Sequence, residues 1–332
     1  MVENIALDTS HLKCINCQKD ASFQILTNAL KCTHCSHSFP INKNIIDFLY
    51  RPSPDTVKEL RGMAVENGYQ PDDLDNFKIK ENPDLKTYDD LAKKTANEHN
   101  QYYQQTQMNF EQAFKLVQKK VPIMQAHVLE IGAQYDYHFL RHFQAKGATC
   151  YSLNIHYNYS NLKDFHDWPI KVIADMNELP FASSSLDVVL ISATSHHSNT
   201  PHLLVQEINR VLRPGGQCLM INDPTDGLLK KLGGKYTAVR HDHINENEYS
   251  IWHYNKLFRQ SQLKATHLFS DYYDQKLKNA VIHPETRFSG LARLIVRFWK
   301  INAFRNLAKR RLLWFAQAVF GFPMNVILEK RK

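Results

Sequence analysis

At 332 residues, with 43% hydrophobic and 22% charged side chains, the chain is long enough to bury one large core or two smaller ones, and too apolar to be disordered throughout. Six cysteines are too few for a disulfide scaffold, and 13 prolines with 11 glycines, scattered without period, exclude a collagen-like or low-complexity chain. The formal charge of +8 sits in the tail: residues 290–332 carry ten basic side chains against the single acid Glu329, so the body sums to about −1 and excludes a basic nucleic-acid cradle there.

Met1 to Ser10 contains Glu3 and Asp8 and no apolar run of signal-peptide length, so the expected location is cytoplasmic. The longest apolar window, Leu312 to Met324, is interrupted by Gln317, Gly321 and Pro323 and is too short to span a bilayer.

Cys14-Ile15-Asn16-Cys17 and Cys32-Thr33-His34-Cys35 form two CxxC knuckles separated by 14 residues. Each knuckle aims two sulfurs at one point, and two of them complete the tetrahedron that a structural zinc ion accepts. Ser22 to Leu26 alternates in polarity and Asn28 supplies a turn, so a short hairpin is expected between them. The competing reading is a redox CxxC pair, which has no reason to occur twice in so short a segment. The metal ligands are Cys14, Cys17, Cys32 and Cys35; four thiolates close the site, leave His34 and His37 as solvated neighbours, and give the zinc a role in holding the fold. Phe39-Pro40-Ile41 follows, then a turn, an isoleucine and an apolar pair, in a strand-like stretch that runs to Leu49. Together with the four cysteines, this pattern over residues 10–50 resembles the zinc-ribbon domains of the tRNA-methyltransferase-activator type.

Residues 51–107 turn polar, with prolines at 52, 54, 71 and 83, and read as a linker followed by helices; Asp89 to Phe114 lacks Pro and Gly and predicts one or two of them. The third unit is 108–332. Strands are expected at 128–132, 148–154, 170–174, 187–192 and 217–221, alternating with helices at 137–145 and 201–212. Such alternation implies an α/β fold with a mostly parallel, doubly wound sheet whose ligand lies beyond the carboxyl ends of the strands.

Ile173-Ala174-Asp175-Met176-Asn177-Glu178-Leu179-Pro180-Phe181, then Ser184-Ser185-Leu186-Asp187-Val188-Val189, then Glu207 to Gly216 with its closing Arg213-Pro214-Gly215-Gly216, follow one another in an order and spacing that resemble the class I S-adenosylmethionine-dependent methyltransferases, in their small-molecule-type branch. The resemblance implies a Rossmann-like, seven-stranded, mostly parallel sheet and S-adenosylmethionine as cofactor. It implies cofactor-binding roles for Glu130, Gly132, Ala133, Asn154, Asp175, Met176 and Ser192, with Asp175 accepting from the adenine amino group, the Met176 amide donating to a ring nitrogen, and Leu179-Pro180-Phe181 forming an apolar turn beneath the ring. Pro214-Gly215-Gly216 is expected to stop a helix and launch the fifth strand. Three positions depart from the family pattern: Gln134 and Asp136 stand where the first loop has glycines, and Asn154 stands where a carboxylate accepts the ribose hydroxyls, at a loss of about 1 kcal/mol.

Ser192 to His197 follows the fourth strand, where the family's acceptor site lies, and His196 and His197 are the candidates for a general base. His241 and His243 lie in a polar run that reads as a substrate-side loop, and a second metal there lacks a third ligand. Residues 264–269 and 325–328 resemble the family's last two strands, which makes 270–322 a basic helical insertion. Within it, apolar Leu291, Leu294, Phe298, Trp299 and Trp314 interleave with Arg293, Arg297, Lys300 and Arg310. Three readings of this insertion stay open: a substrate lid, a peripheral membrane contact through 290–322, and an RNA-phosphate contact, which the aliphatic interleaving disfavours. The sequence therefore points to methyl transfer onto a small-molecule or lipid-linked acceptor, with a cofactor-free scaffold and an RNA methyltransferase as alternatives.

Overall fold

The computed structural model describes residues 9–20, 22–66, 68–71, 73–81, 100–133, 137–159, 168–228, 245–275, 298–299, 301–307, 309 and 313–332. The cysteine-rich segment gives four short strands, β1 (Phe23–Leu26), β2 (Ala29–Cys32), β3 (Ser38–Asn42) and β4 (Ile45–Asp47). Helices α1 (Pro54–Glu66) and α2 (Leu74–Lys78), strand β5 (Ile79–Glu81) and helix α3 (Asn100–Val117) follow. The third unit contains β6 (His127–Ile131), α4 (His138–Gln144), β7 (Thr149–Asn154), β8 (Tyr157–Tyr159), β9 (Ile170–Ile173), β10 (Leu186–Ser192), α5 (Pro201–Val211), β11 (Leu212–Asp223), β12 (Thr225–Asp226), β13 (Tyr249–Ser250), α6 (Ile251–Gln260), β14 (Leu263–His267), α7 (Asn302–Leu307), α8 (Leu313–Phe320) and β15 (Met324–Lys330).

The expected seven-stranded sheet is corrected by the structure to a mixed sheet of eleven, ordered β1-β2-β3-β4-β9-β7-β6-β10-β11-β15-β14. From β9 to β14 the strands, numbered in chain order within the third unit, run 3-2-1-4-5-7-6, with only β15 opposed to the rest. The four extra strands belong to the cysteine-rich segment: β4 pairs in parallel with β9, matching Ile45, Ile46 and Asp47 to Lys171, Val172 and Ile173. The reversal of strand order falls between β6 and β10, the place where open α/β sheets bind ligands in a crevice beyond the carboxyl ends of the strands.

The central strands are apolar on both faces because both are covered. Val128, Val188 and Leu190 point to one face, where Phe110, Phe114 and Val117 of α3 pack with Phe139, Leu140 and Phe143 of α4. Leu129, Ile131, Val189 and Ile191 point to the other, where α5 and α6 pack. That second core also contains Leu12, Leu30, Phe39 and Phe48, so the cysteine-rich segment shares its interior with the third unit.

One local expectation is revised. Pro214-Gly215-Gly216 does not separate helix from strand: α5 ends at Val211, β11 begins at Leu212, and the three residues form an irregularity within the strand, where pairing jumps from Leu186–Leu212 to Val188–Gln217. Gly216 is required there, since a Cβ would lie 2.9 Å from the Arg213 carbonyl oxygen. Leu179-Pro180-Phe181 docks the cysteine-rich segment. Lys13 N donates to Pro180 O (3.1 Å) and Ala182 N to His11 O (2.8 Å), while Leu179 and Phe181 are fully buried.

Arg210 of α5 grips the same turn from the opposite side. Its guanidinium donates to the Phe181 and Leu179 carbonyls (2.6 and 2.9 Å) and to both oxygens of Glu207 (2.6 and 2.7 Å), and Glu207 in turn accepts from Leu179 N. Arg210→Ala is therefore expected to lower unfolding free energy in urea by about 3 kcal/mol, with Arg210→Lys recovering less than half because an ammonium cannot fork across two carbonyls. An Ala variant within about 1 kcal/mol of the parent would show that the clamp is dispensable.

Candidate functional site

The residues expected to hold a cofactor stand at the carboxyl ends of four neighbouring strands. Glu130 is buried one residue before the end of β6. Gly132, just beyond, has φ +71°, and a Cβ there would lie 2.3 Å from Thr194 Oγ1, so the loops after β6 and β10 touch across the switch point. Asn154 ends β7 and ties the first two loops together: its Nδ2 donates to Ala133 O (3.4 Å), and its Oδ1 accepts from Ile155 N (2.9 Å). Ser192 ends β10 with its hydroxyl buried and without a hydrogen-bond partner among the described residues. Gln134 and Asp136, the two departures in the glycine loop, lie outside the described residues.

Asp175, after β9, has a fuller set of partners than the sequence suggested. Oδ1 accepts from Asn177 N (2.8 Å), and Oδ2 accepts from Ser53 Oγ (3.0 Å) and Thr56 Oγ1 (2.5 Å) at the start of α1. Met176 beside it is half-buried and packs on the shared core. Ser53 and Thr56 gave no signal in the sequence, because they lie more than a hundred residues away in a polar linker.

On the far side of the crevice, Ser195–His197 form a single 3₁₀ turn after β10. His196 Nδ1 is 3.3 Å from Asp223 Oδ1 and its Nε2 is 3.5 Å from Glu246 Oε2; His197 Nδ1 is 3.0 Å from Glu59 Oε1 of α1. Glu59 also accepts from Asn245 N (2.5 Å), and Asn247 N donates to His196 O (3.0 Å), so three distant segments meet at the two imidazoles. Burial works to lower the His197 pKa, but the hydrogen bond and charge of Glu59, with Glu246 behind them, outweigh it and hold the imidazole above its usual value. Asp223, Glu59 and Glu246 were missed from sequence; only Asp223, an acid ending the apolar run of the fifth strand, carried a readable sign. His241 and His243 lie outside the described residues.

The four cysteines converge. Sγ of Cys14 is 3.7 Å from that of Cys35, and Sγ of Cys17 is 3.8 Å from that of Cys32; all four sulfurs lie within 4.8 Å of one another. A tetrahedron with metal–sulfur bonds of about 2.3 Å has edges of about 3.8 Å, so the spacing suits one zinc ion and is far too long for a disulfide. Asn16 Nδ2 donates to Cys35 Sγ at 3.4 Å. That hydrogen bond, supported by a backbone donor, draws the Cys35 thiol down to about 6, whereas burial pushes Cys14 up to about 12. His34 is exposed, and His37 packs on Tyr50 and Phe39, with ring centroids 4.1 and 4.8 Å away.

Residues 129–220 match the family model of the methyltransferase domain. The matched segment includes all three stretches, 173–216, that carry the sequence resemblance. The chain is 34% identical over 80 residues to the malonyl-[acyl-carrier protein] O-methyltransferase of Legionella pneumophila, covering 24% of this chain and 28% of that protein. It is 34% identical over 127 residues to an uncharacterised chloroplastic methyltransferase of Arabidopsis thaliana, covering 36% and 33%. The chain thus spans about a third or less of each of these curated relatives. Among solved structures, a candidate sarcosine dimethylglycine methyltransferase of Galdieria sulphuraria superposes with a TM-score of 0.44 at 20% identity, over 68% of this chain and 86% of that one.

The Gly132–Thr194 contact gives a direct test of the crevice geometry. Gly132→Ala combines a strained positive φ with a Cβ in occupied space and is expected to destabilise by about 2–4 kcal/mol in thermal unfolding. Adding Thr194→Gly, which removes the obstructing side chain, should restore part of that loss; no restoration would place the strain elsewhere.

Proposed function

We propose that the chain transfers the methyl group of S-adenosylmethionine to a small-molecule or lipid-linked acceptor, with zinc held by Cys14, Cys17, Cys32 and Cys35 in a ribbon of the tRNA-methyltransferase-activator type. The observation that carries the reading is the alignment of Glu130, Asn154 and Asp175 on three adjacent strand ends beside the switch point, within the segment that matches a methyltransferase domain. When bound there, the cofactor supplies a sulfonium methyl group for in-line displacement by the acceptor.

The chain's own groups suit that ligand. A carboxylate offers about four acceptor positions, and Asp175 uses three on Asn177, Ser53 and Thr56, leaving one for an adenine amino group. Asn154 Oδ1 accepts once from Ile155 and keeps a second lone pair for a ribose hydroxyl. Gly132 and Ala133 bring bare backbone to the crevice, where a methionine moiety would lie, and Ser192 offers a buried hydroxyl. His196 and His197 stand across from these groups on the acceptor side.

The described part of the basic insertion supports a lid that packs on the domain: Gln112 of α3 donates to Asp271 Oδ1 (3.0 Å), Thr225 Oγ1 donates to Phe322 O (2.7 Å), and the buried Trp299 ring lies 5.4 Å from that of Phe269. Within the insertion, Trp299 and Lys309 both donate to Asp274 (2.9 and 2.7 Å). Exposed Phe298, Ile301 and Leu307 beside Arg305 are the groups left for a membrane surface, and no described helix is long and apolar enough to cross one.

Calorimetric titration with S-adenosylmethionine and S-adenosylhomocysteine tests the reading. Binding with a Kd of roughly 1–100 μM is expected, weakened about tenfold or more in Asp175→Ala, whose lost carboxylate is worth at least about 1.4 kcal/mol. No binding at millimolar cofactor would transfer the assignment to the cofactor-free scaffold. For the ribbon, Cys17→Ser with Cys35→Ser should abolish bound zinc by metal analysis and lower the Tm by about 5 °C or more. It should also weaken cofactor binding, because β4 and the start of α1 set the position of Asp175. Unchanged Tm in the zinc-free double variant would remove the metal from the fold's support.

A further inference from the structure

The two imidazoles after β10 form more of a site than an acid–base pair requires. Their ring centroids lie 4.2 Å apart, and Glu246 closes on them from the segment before β13. One ligand atom from each of His196, His197 and Glu246 lies within 4.8 Å of the other two. The 3.5 Å between His196 Nε2 and Glu246 Oε2 is near the edge of about 3.4 Å spanned by two bonds of about 2.1 Å in a tetrahedral metal site.

Two further features point the same way. Each imidazole has a carboxylate against Nδ1, Asp223 behind His196 and Glu59 behind His197, and both acids are buried. For His196 the Asp223 carboxylate is a hydrogen-bond partner that holds the proton on Nδ1, fixes the ring and leaves the Nε2 lone pair outward, as the outer partners of metal-ligating histidines do. Glu59 stands 3.0 Å from His197 Nδ1 as a charge partner. The cluster also holds excess negative charge. Asp223 is fully buried, its Oδ2 has no hydrogen-bond partner among the described residues, and none of the ion pairs among those residues brings a Lys or Arg to Asp223, Glu59 or Glu246. Among the described residues, that buried carboxylate oxygen has no cation beside it.

We propose that His196, His197 and Glu246 bind a divalent transition-metal ion, separate from the four-cysteine site, with Asp223 and Glu59 holding the two imidazoles in place. Two nitrogens and a carboxylate oxygen suit zinc, manganese or iron(II), and three protein ligands leave coordination positions open. An oxygen-bearing acceptor would take an open position, which rests on the methyltransferase reading; the metal site itself does not. The imidazoles then serve as ligands and positioning groups in place of a free general base.

Cobalt(II) is the probe, titrated into full-length protein whose cysteine site has been filled with zinc. One equivalent should bind with the weak visible absorption of a nitrogen- and oxygen-coordinated ion, and Glu246→Gln and His196→Gln should each weaken it at least tenfold. Glu246 is about a third exposed, so Glu246→Gln should leave the far-UV circular dichroism unchanged. No uptake beyond the zinc-filled blank, uptake that survives Glu246→Gln, or absorption carrying intense thiolate-to-cobalt charge transfer would overturn the proposal. Cofactor titration separates the two readings: a chain that binds S-adenosylmethionine but no cobalt loses this site alone, and one that binds cobalt but no S-adenosylmethionine keeps it.

Discussion

Ile45, Ile46 and Asp47 run parallel to Lys171, Val172 and Ile173, and this three-residue ladder decides where the segments around it lie. A parallel strand must be covered on both faces. Ile46 turns into the core shared with Phe39 and Phe48, while Ile45 packs with Tyr157 and Ile173 on the other side. Where the chain leaves the ladder it stays pinned: Phe48 N donates to Ile173 O (2.8 Å), and Asp47 accepts from Leu49 N and Lys78 Nζ. Helix α1 therefore starts at a fixed place, with Ser53 and Thr56 on the carboxylate that follows β9. The cysteine cluster, the β4–β9 ladder and the candidate cofactor acceptor form one mechanical series.

The strand ends gather polar groups from all over the chain because they are the one part of the sheet that the helices leave uncovered. Several of these groups are compensated locally. Asn222, at the end of β11, donates to Thr106 and accepts from Asn109 of α3 (2.5 and 2.6 Å), which moors that helix over the crevice. Ser198 donates to Asn177 (2.7 Å), linking the loop after β10 to that after β9. Such a network has a fixed geometry, which is what binding a polar ligand in one orientation requires.

Legibility from sequence followed the range of the interaction. The convergence of the four cysteines could be read because each CxxC is a local turn with its own chemistry. The order of strands and helices could be read because runs such as Val188 to Ile191 are apolar at every position, which only a doubly covered strand needs. The eleven-stranded continuity could not, since nothing in Ile45-Ile46-Asp47 names Lys171 to Ile173 as its partner. The same limit hid Thr56 from Asp175 and Glu59 from His197, pairs set by tertiary packing. Pro214-Gly215-Gly216 misled for a different reason: glycines that permit a helix stop equally permit a strand irregularity, and the choice lies in whether the Asp187 carbonyl comes close.

The ladder between β4 and β9 also has a consequence for how the chain is made. Roughly 125 residues separate Asp47 from Ile173, its partner. At about 5–20 residues per second, the edge of β4 leaves the ribosome some 6–25 s before the strand that covers it. For that interval the cysteine-rich segment must hold its shape with an open edge, without the turn at 178–182 and without Arg210 behind it. A metal ion bound early would let this small unit wait as a finished template, onto which the first half of the sheet could then assemble.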